Sequence, residues 1–133
     1  EKNHPVTNIS ISNIKINFDG GGTLSEANEE KLELINEYPE STQLGNLSAY
    51  GFFVRHVDGI TFRDVELDYN KEDLRPALLF DDVQNVKLLN FDAELAKDTK
   101  AQIVLHGSNS VFIKECSPRS SNVFISIEKN SKD

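Results

Sequence analysis

The sequence contains no methionine, no tryptophan and a single cysteine, Cys116. One cysteine cannot form an intramolecular disulfide, so a disulfide framework is excluded, and the apolar surroundings of Cys116 predict a buried structural thiol. No run of about 18 apolar residues occurs, which excludes a membrane-spanning helix. The chain begins at Glu1 without methionine or a signal-peptide pattern, so we expect a processed chain or an excised piece of a longer protein.

Basic residues are also scarce. The chain has 14 lysines and arginines against 22 aspartates and glutamates, a net charge of -8 and a pI of about 4.8. This acidity argues against nucleic acid and anionic membrane surfaces as partners. His4, His56 and His106 are far apart and no cysteine pair exists, so no metal site is predicted. No cofactor is predicted either, because the glycines at 20–22 lack the Lys-Ser/Thr of a phosphate loop.

What the chain does have is a block that occurs four times, with starts at residues 9, 60, 86 and 111. The steps are 51, 26 and 25 residues, the first being about two periods, which indicates stacked repeats. Aligning the blocks gives three apolar columns: Ile9/Ile60/Val86/Val111, Ile11/Phe62/Leu88/Ile113 and Ile14/Val65/Phe91/Cys116. Mostly polar residues alternate with them, as in a strand with one buried face. We therefore expect the columns to be buried and stacked one repeat apart.

A fourth column interrupts this alternation and predicts a one-residue bend in each repeat. Its members are Asn13, Asp64, Asn90 and Glu115. Asn and Asp tolerate left-handed backbone angles and bond to nearby amides, whereas Glu115 fits such a bend less well. Asn and Asp side chains stacked in this way can also bond to one another between repeats.

The repeat length predicts the fold class. A second apolar run precedes each of the last three blocks, so about 25 residues hold several strands and no helix. This pattern predicts an all-β fold, a right-handed parallel β-helix of about three to four coils. The fixed Leu and Asn spacing of a leucine-rich repeat is absent, and a β-sandwich would not align columns between repeats.

One segment, residues 19–50, breaks the repeat and predicts an insertion loop within a single β-helix segment over 1–133. The stretch from Thr23 to Glu26 has the pattern of a capping box. Apolar residues follow at roughly helical spacing until Pro39, so we expect a short helix over about 25–37 on this loop.

Ionisable residues follow the apolar run in each of the last three repeats: Arg55 and His56, Asp81 and Asp82, and His106. Equivalent residues in adjacent coils lie roughly 4.8 Å apart and can touch. Two interpretations compete. Paired acids and histidines could form a sugar-binding or acid–base site, or the groups could form a structural ladder in which Arg55 pairs with Asp81 and His56 with Asp82.

The C-terminal part leaves the register of His106 open. His106 aligns with Asp81 if Val111 sets the register, but with Asp82 if Asn109 is matched to Asn85. Further along, 123–127 is a strand-like run of few charges, and the charged residues from 128 onward are expected to guard it against pairing with other chains.

Several segments resemble the coil sequences of pectin-degrading β-helices, in particular the polygalacturonase-like enzymes of glycoside hydrolase family 28. They are NISISNI at 8–14, GGGT at 20–23, YPE at 38–40, AYGFFVRHV at 49–57, LRPA at 74–77 and FDDV at 80–83. The resemblance covers about residues 6–95 and is to the C-terminal coils of bacterial members. It implies a β-helix from an extracellular or periplasmic enzyme that hydrolyses galacturonic-acid linkages with inversion.

The catalytic motifs of that family are matched only in part. The family uses Asn-Thr-Asp and Asp-Asp, then Gly-His-Gly and Arg-Ile-Lys. Here Asp81-Asp82 and His106-Gly107 occur in the family's order, but Phe80 and Leu105 precede them in place of glycine. The remaining motifs are absent, so we assign no catalytic residue. The candidates for substrate binding are Arg55, His56, Asp81, Asp82 and His106.

We therefore expect a non-catalytic C-terminal portion of a glycoside hydrolase that acts on pectin-like, galacturonate-containing polysaccharide. Its catalytic coils would lie upstream of Glu1, and the insertion at 19–50 would shape one wall of the cleft. The alternative is a stand-alone carbohydrate-binding or adhesin-type β-helix without catalysis. Exposed edges of the coil stack predict self-association, chiefly through the N-terminal edge at residues 6–18.

Overall fold

In a computed structural model the chain forms a sheet of parallel strands, and the structure describes residues 4–32, 45–116, 119 and 123–128. The elements in those ranges are β1 (Val6–Gly20), α1 (Leu24–Ala27), β2 (Phe52–Lys71), β3 (Leu78–Ala93), β4 (Ile103–His106), β5 (Asn109–Lys114) and β6 (Ile125–Glu128). The strand order is β1-β2-β3-β4-β6, and β5 pairs with β3. Each of these pairings is parallel, which confirms the all-β class.

The strand register confirms the predicted columns. Phe62 of β2 is paired with Ile11 of β1 on one side and with Leu88 of β3 on the other. Leu88 in turn is paired with Ile113 of β5. The columns that start at Ile9 and Ile14 follow the same register through β2 and β3. Equivalent residues of neighbouring repeats are therefore stacked on one another.

Burial differs along each column, and here the expectation of uniform burial was wrong. The members on β2 and β3 are at most 2% exposed, but Ile11, Ile113 and Cys116 are only partly buried. Among the described strands, β1 and β5 each have a paired neighbour on one side only, so there one flank of their inward side chains is not covered by a strand. Cys116 is thus half-buried, and its Sγ accepts a hydrogen bond from the Phe91 amide at 3.4 Å.

Single residues with left-handed backbone angles bend the long strands. The predicted bends at Asn13, Asp64, Asn90 and Glu115 have φ of 55°, 53°, 52° and 57°, so even Glu115 adopts the expected angle. We call this set the Asn13 corner. Two further sets were not predicted: the Asn8 corner, formed by Asn8, Gly59, Asn85 and Ser110, and the His56 corner, formed by His56, Asp82 and Gly107. Core-facing residues are three apart across a bend and two apart elsewhere, which keeps the apolar columns inside.

The insertion begins with the predicted capping box, but the predicted helix was too long. Thr23 accepts from the Glu26 amide, and the Glu26 carboxylate accepts from the Thr23 amide. Helix α1 spans only Leu24–Ala27, and residues 28–32 are not helical. The rest of the expected helix, 33–37, lies outside the described residues. No helix in the described part of the chain is long and apolar enough to cross a membrane.

Both arms of the insertion are fastened to the sheet by Asp73. Its buried carboxylate accepts from the Gly22 amide at 2.9 Å and from Arg75 Nη2 at 2.7 Å. Arg75 Nη1 reaches across to the Leu47 carbonyl at 3.1 Å. A Cβ at Gly22 would overlap both the Asp73 carboxylate and the Arg75 guanidinium. Glycine at position 22 therefore leaves the space that these two side chains occupy where the chain enters the insertion.

Candidate functional site

Four parallel strands each place an ionisable residue at the same outward position. Arg55 on β2 is paired in register with Asp81 on β3, Asp81 with His106 on β4, and His106 with Glu128 on β6. Arg55 Nε donates to Asp81 Oδ2 at 2.6 Å, and His106 Nε2 lies 2.9 Å from Glu128 Oε2. This row, which we call the charged ladder, continues across the stack as cation, anion, histidine and anion. The open question of His106 is settled in favour of alignment with Asp81.

A second pair lies one residue further along. His56 Nδ1 is 2.7 Å from Asp82 Oδ2, and both residues belong to the His56 corner. A carboxylate can only accept, so this geometry assigns the bonded proton to Nδ1. The His56 side chain is 11% exposed and that of Asp82 32%, so the pair sits at the surface with its imidazole mostly covered. The two predicted pairings, Arg55 with Asp81 and His56 with Asp82, are both present.

Other groups hold the ladder in place. Arg55 Nη2 donates to the Lys31 carbonyl at 2.8 Å, and the guanidinium carbon lies 5.1 Å from the centroid of the Phe53 ring. Lys100 pairs with the Glu128 carboxylate at the opposite end. Burial alone would raise the pKa of Glu128, but hydrogen bonding and charge from Lys100, together with His106, hold it below its ordinary value. Glu128 is thus kept ionised as a partner for His106.

This arrangement limits the chemistry available to the candidate residues. An inverting glycosidase needs one carboxyl group to protonate the leaving oxygen and a second, across the sugar, to activate water. Asp81 and Asp82 each contact a basic side chain on β2 at 2.7 Å or less, and His106 is engaged by Glu128. The side chains proposed for sugar binding therefore already contact ionisable side chains on neighbouring strands. Within the described ranges no group of three or more His, Cys, Asp or Glu residues is placed to hold a metal ion.

The roles of two charged residues were not predicted from the sequence. Glu128 had been expected to guard the chain end, yet it is the last residue of β6 and the fourth member of the charged ladder. Matching Ile125-Ser126-Ile127-Glu128 to Ile103-Val104-Leu105-His106 would have revealed it. Arg119 is the second: its guanidinium contacts carboxylates on β2 and β3 and just beyond them, namely Glu66, Asp68, Asp92 and Glu94.

Comparison of the chain with protein-family models, with curated proteins and with solved structures gives no match.

Proposed function

We propose that the parallel strands wind as successive coils of a right-handed β-helix. The support is the register. Val57 is paired with Val83, 26 residues further on, and Val86 with Val111, 25 residues further on. Both β4 and β5 pair with β3, so residues 103–114 retrace the path of β3 one repeat later. Left-handed residues recur at matching positions of every repeat, as a coil with fixed corners requires.

On this fold we propose a non-catalytic role in a glycoside hydrolase that acts on galacturonate-containing polysaccharide, outside the cell or in the periplasm. The observation that carries the non-catalytic part is the pairing of Asp81 and Asp82 with Arg55 and His56. The substrate class rests on the resemblance of residues 6–95 to polygalacturonase-like coils. The chain would extend the coil stack, and the insertion fastened by Asp73 would form one wall of the substrate cleft.

The chain alone should not hydrolyse polygalacturonate. Its acids are engaged in ladder contacts, and the further acid and basic motifs of the family are missing. Release of reducing sugar from polygalacturonate by the purified chain measures this directly, and we expect none above a no-protein blank. Release that disappears in Asp82→Asn but persists in Asp98→Asn, which changes an exposed carboxylate, would instead make Asp81 and Asp82 the working pair.

The coding sequence ahead of residue 1 would distinguish a segment of a hydrolase from a stand-alone carbohydrate-binding or adhesin-type β-helix. Asn-Thr-Asp and a second acid pair in upstream repeats would support the hydrolase. Upstream repeats without such acids, or no upstream repeats, would support the adhesin.

We also propose that the outer edge of β1 pairs with a second copy of the chain when nothing else covers it. In the described residues β1 is paired only with β2, and Val6 at its start is 59% exposed. Unpaired strand edges favour association, and added lysine opposes it. Sedimentation velocity should show mass increasing with concentration, less so in Val6→Lys. A strict monomer whose residues 6–18 are fully protected from amide exchange would contradict the proposal.

A further inference from the structure

The Asn8 corner has a gap in the middle. Asn8, Gly59, Asn85 and Ser110 have φ of 58°, 86°, 55° and 57°, so the four residues bend their strands alike. Three of them carry a side chain outward from the bend, and Gly59 carries none. A Cβ at Gly59 would lie 3.4 Å from Asn8 Oδ1, which places the missing side chain directly beside that of Asn8.

The Asn13 corner shows what a filled corner looks like. There Asn90 Nδ2 donates to Asp64 Oδ1 at 2.8 Å, so side chains on adjacent strands bond directly. At the Asn8 corner Asn85 finds no such neighbour, since Gly59 offers no acceptor. Asn85 Nδ2 donates sideways to Asp58 Oδ1 at 2.6 Å. The position over Gly59 is therefore left open, with the Asn8 amide on one side and the Asn85 amide, bonded to Asp58, on the other.

This opening, which we call the Gly59 notch, is a shallow groove of about 500 Å³. Its walls carry hydroxyls, amides, one carboxylate and one ammonium group, from Thr7, Asn8, Ser10, Asp58, Thr61, Asn85 and Lys87. Ser10 is paired in register with Thr61 and Thr61 with Lys87, so two hydroxyls and an ammonium group form a row along the stack. The volume lies within the range of small-molecule sites, and the open lining combines these polar groups with apolar surface that includes Ile9.

We infer that the Gly59 notch binds one unit of an acidic polysaccharide, a uronic acid residue. The inference deepens the proposed function and rests on it for the class of polymer. A sugar ring offers hydroxyls that both donate and accept, which suits a wall of hydroxyls, amides and a carboxylate. Lys87 supplies the cation for the uronate carboxylate, two strands away from Ser10. Asp58 on the same wall disfavours a doubly charged anion such as phosphate, because like charges repel.

The most direct test is to fill the notch with a side chain, and a substitution is available that should preserve the fold. Gly59→Asn introduces the residue already present at the equivalent positions Asn8 and Asn85, and asparagine tolerates a left-handed backbone. The matched control is Gly107→Asn, which makes the same change at φ 53° in the His56 corner, outside the notch. Both variants should keep the wild-type thermal midpoint to within a few degrees.

The experiment is a titration of the isotope-labelled full chain with trigalacturonate, followed by backbone amide shifts. We expect saturable shifts at Ser10, Thr61 and Lys87 in the wild type and in Gly107→Asn. In Gly59→Asn the affinity should fall by about tenfold or more, equivalent to about 1.4 kcal/mol. In Lys87→Gln the affinity for trigalacturonate should fall similarly, while that for a neutral galactose trisaccharide should not change.

The alternative outcomes separate the two proposals. Trigalacturonate binding that is unaffected by Gly59→Asn, or that shifts residues elsewhere, overturns the notch and leaves polysaccharide recognition standing. Equal binding of the neutral trisaccharide, insensitive to Lys87→Gln, overturns the uronate assignment. No shifts with either sugar overturn the notch, whereas the role in a hydrolase is judged separately by the acid motifs encoded upstream.

Discussion

Replacing Leu88 with alanine should lower the free energy of unfolding by about 2–5 kcal/mol. Leu88 is fully buried and lies in register between Phe62 on β2 and Ile113 on β5. Packed strands on both sides prevent the core from collapsing around the lost atoms, so a cavity remains. Urea denaturation of the wild type and of the variant, with unchanged dependence on denaturant, gives the difference directly.

The neighbouring residue provides the control. Leu89→Ala removes the same atoms from a side chain that points outward next to Arg63 and Lys114 and is only partly buried. We expect a loss below about 1 kcal/mol there. Equal losses at positions 88 and 89, or a loss below about 0.5 kcal/mol at position 88, would contradict the assignment of inward and outward faces.

Asp73→Asn should be the most damaging change among the polar residues, at about 3 kcal/mol. The Asp73 carboxylate is buried and accepts from the amides of Gly22 and Arg75 as well as from the Arg75 guanidinium. Asparagine presents an NH₂ group where two of these donors need an acceptor, and leaves the Arg75 charge without its partner. Chemical denaturation at neutral pH measures the loss, and Asp98→Asn on the exposed surface should change little.

The same site predicts a pH dependence. Burial raises the pKa of Asp73, but hydrogen bonds from Arg75 and Gly22 outweigh it and hold the pKa below the ordinary value of 3.8. A carboxylate with a depressed folded-state pKa contributes stability that is fully present above its unfolded-state pKa. That contribution is lost as the pH falls through the folded-state value. The gap between the wild type and Asp73→Asn should therefore be constant from pH 7 to about 5 and shrink below about pH 4. A gap that persists unchanged at pH 2 would exclude this carboxylate as its source.

The apolar columns and the Asn13 corner could be predicted from sequence because the repeat makes them visible. Ile11, Phe62, Leu88 and Ile113 share a position in every block, so their alignment follows from spacing alone. Their unequal burial could not be read in this way, since it depends on which strands have neighbours on both sides. The His56 corner was not predicted because His56 and Asp82 were interpreted as candidate binding or acid–base residues. Their left-handed backbone angles were not considered.

The contacts outside the repeat were harder to predict. Asp73 lies between repeats and takes its partners from Gly22, 51 residues away, and from Arg75. The 51-residue step of the repeat places Gly22 opposite Asp73, as it places Gly20 opposite Lys71. The repeat does not indicate, however, that the Asp73 carboxylate is buried or that Arg75 pairs with it. The helix on the insertion was predicted too long because apolar residues at helical spacing continue past Asn28, whereas the backbone leaves the helix there. Local propensity starts this helix, but the described residues after it, 29–32, are neither helix nor strand.

An engineered disulfide tests the register of the stack most directly. In a Cys116→Ser background, cysteines at Thr61 and Lys87 replace register partners on adjacent strands, where Cα atoms about 4.8 Å apart allow a bond. Cysteines at Thr61 and Leu89 form the control, with the second residue two positions out of register. Under mild oxidation the 61–87 pair should close within the chain, seen as loss of free thiols and faster migration on a non-reducing gel. A 61–87 pair that stays reduced while 61–89 closes would contradict stacking of the repeats at a spacing of 26 residues.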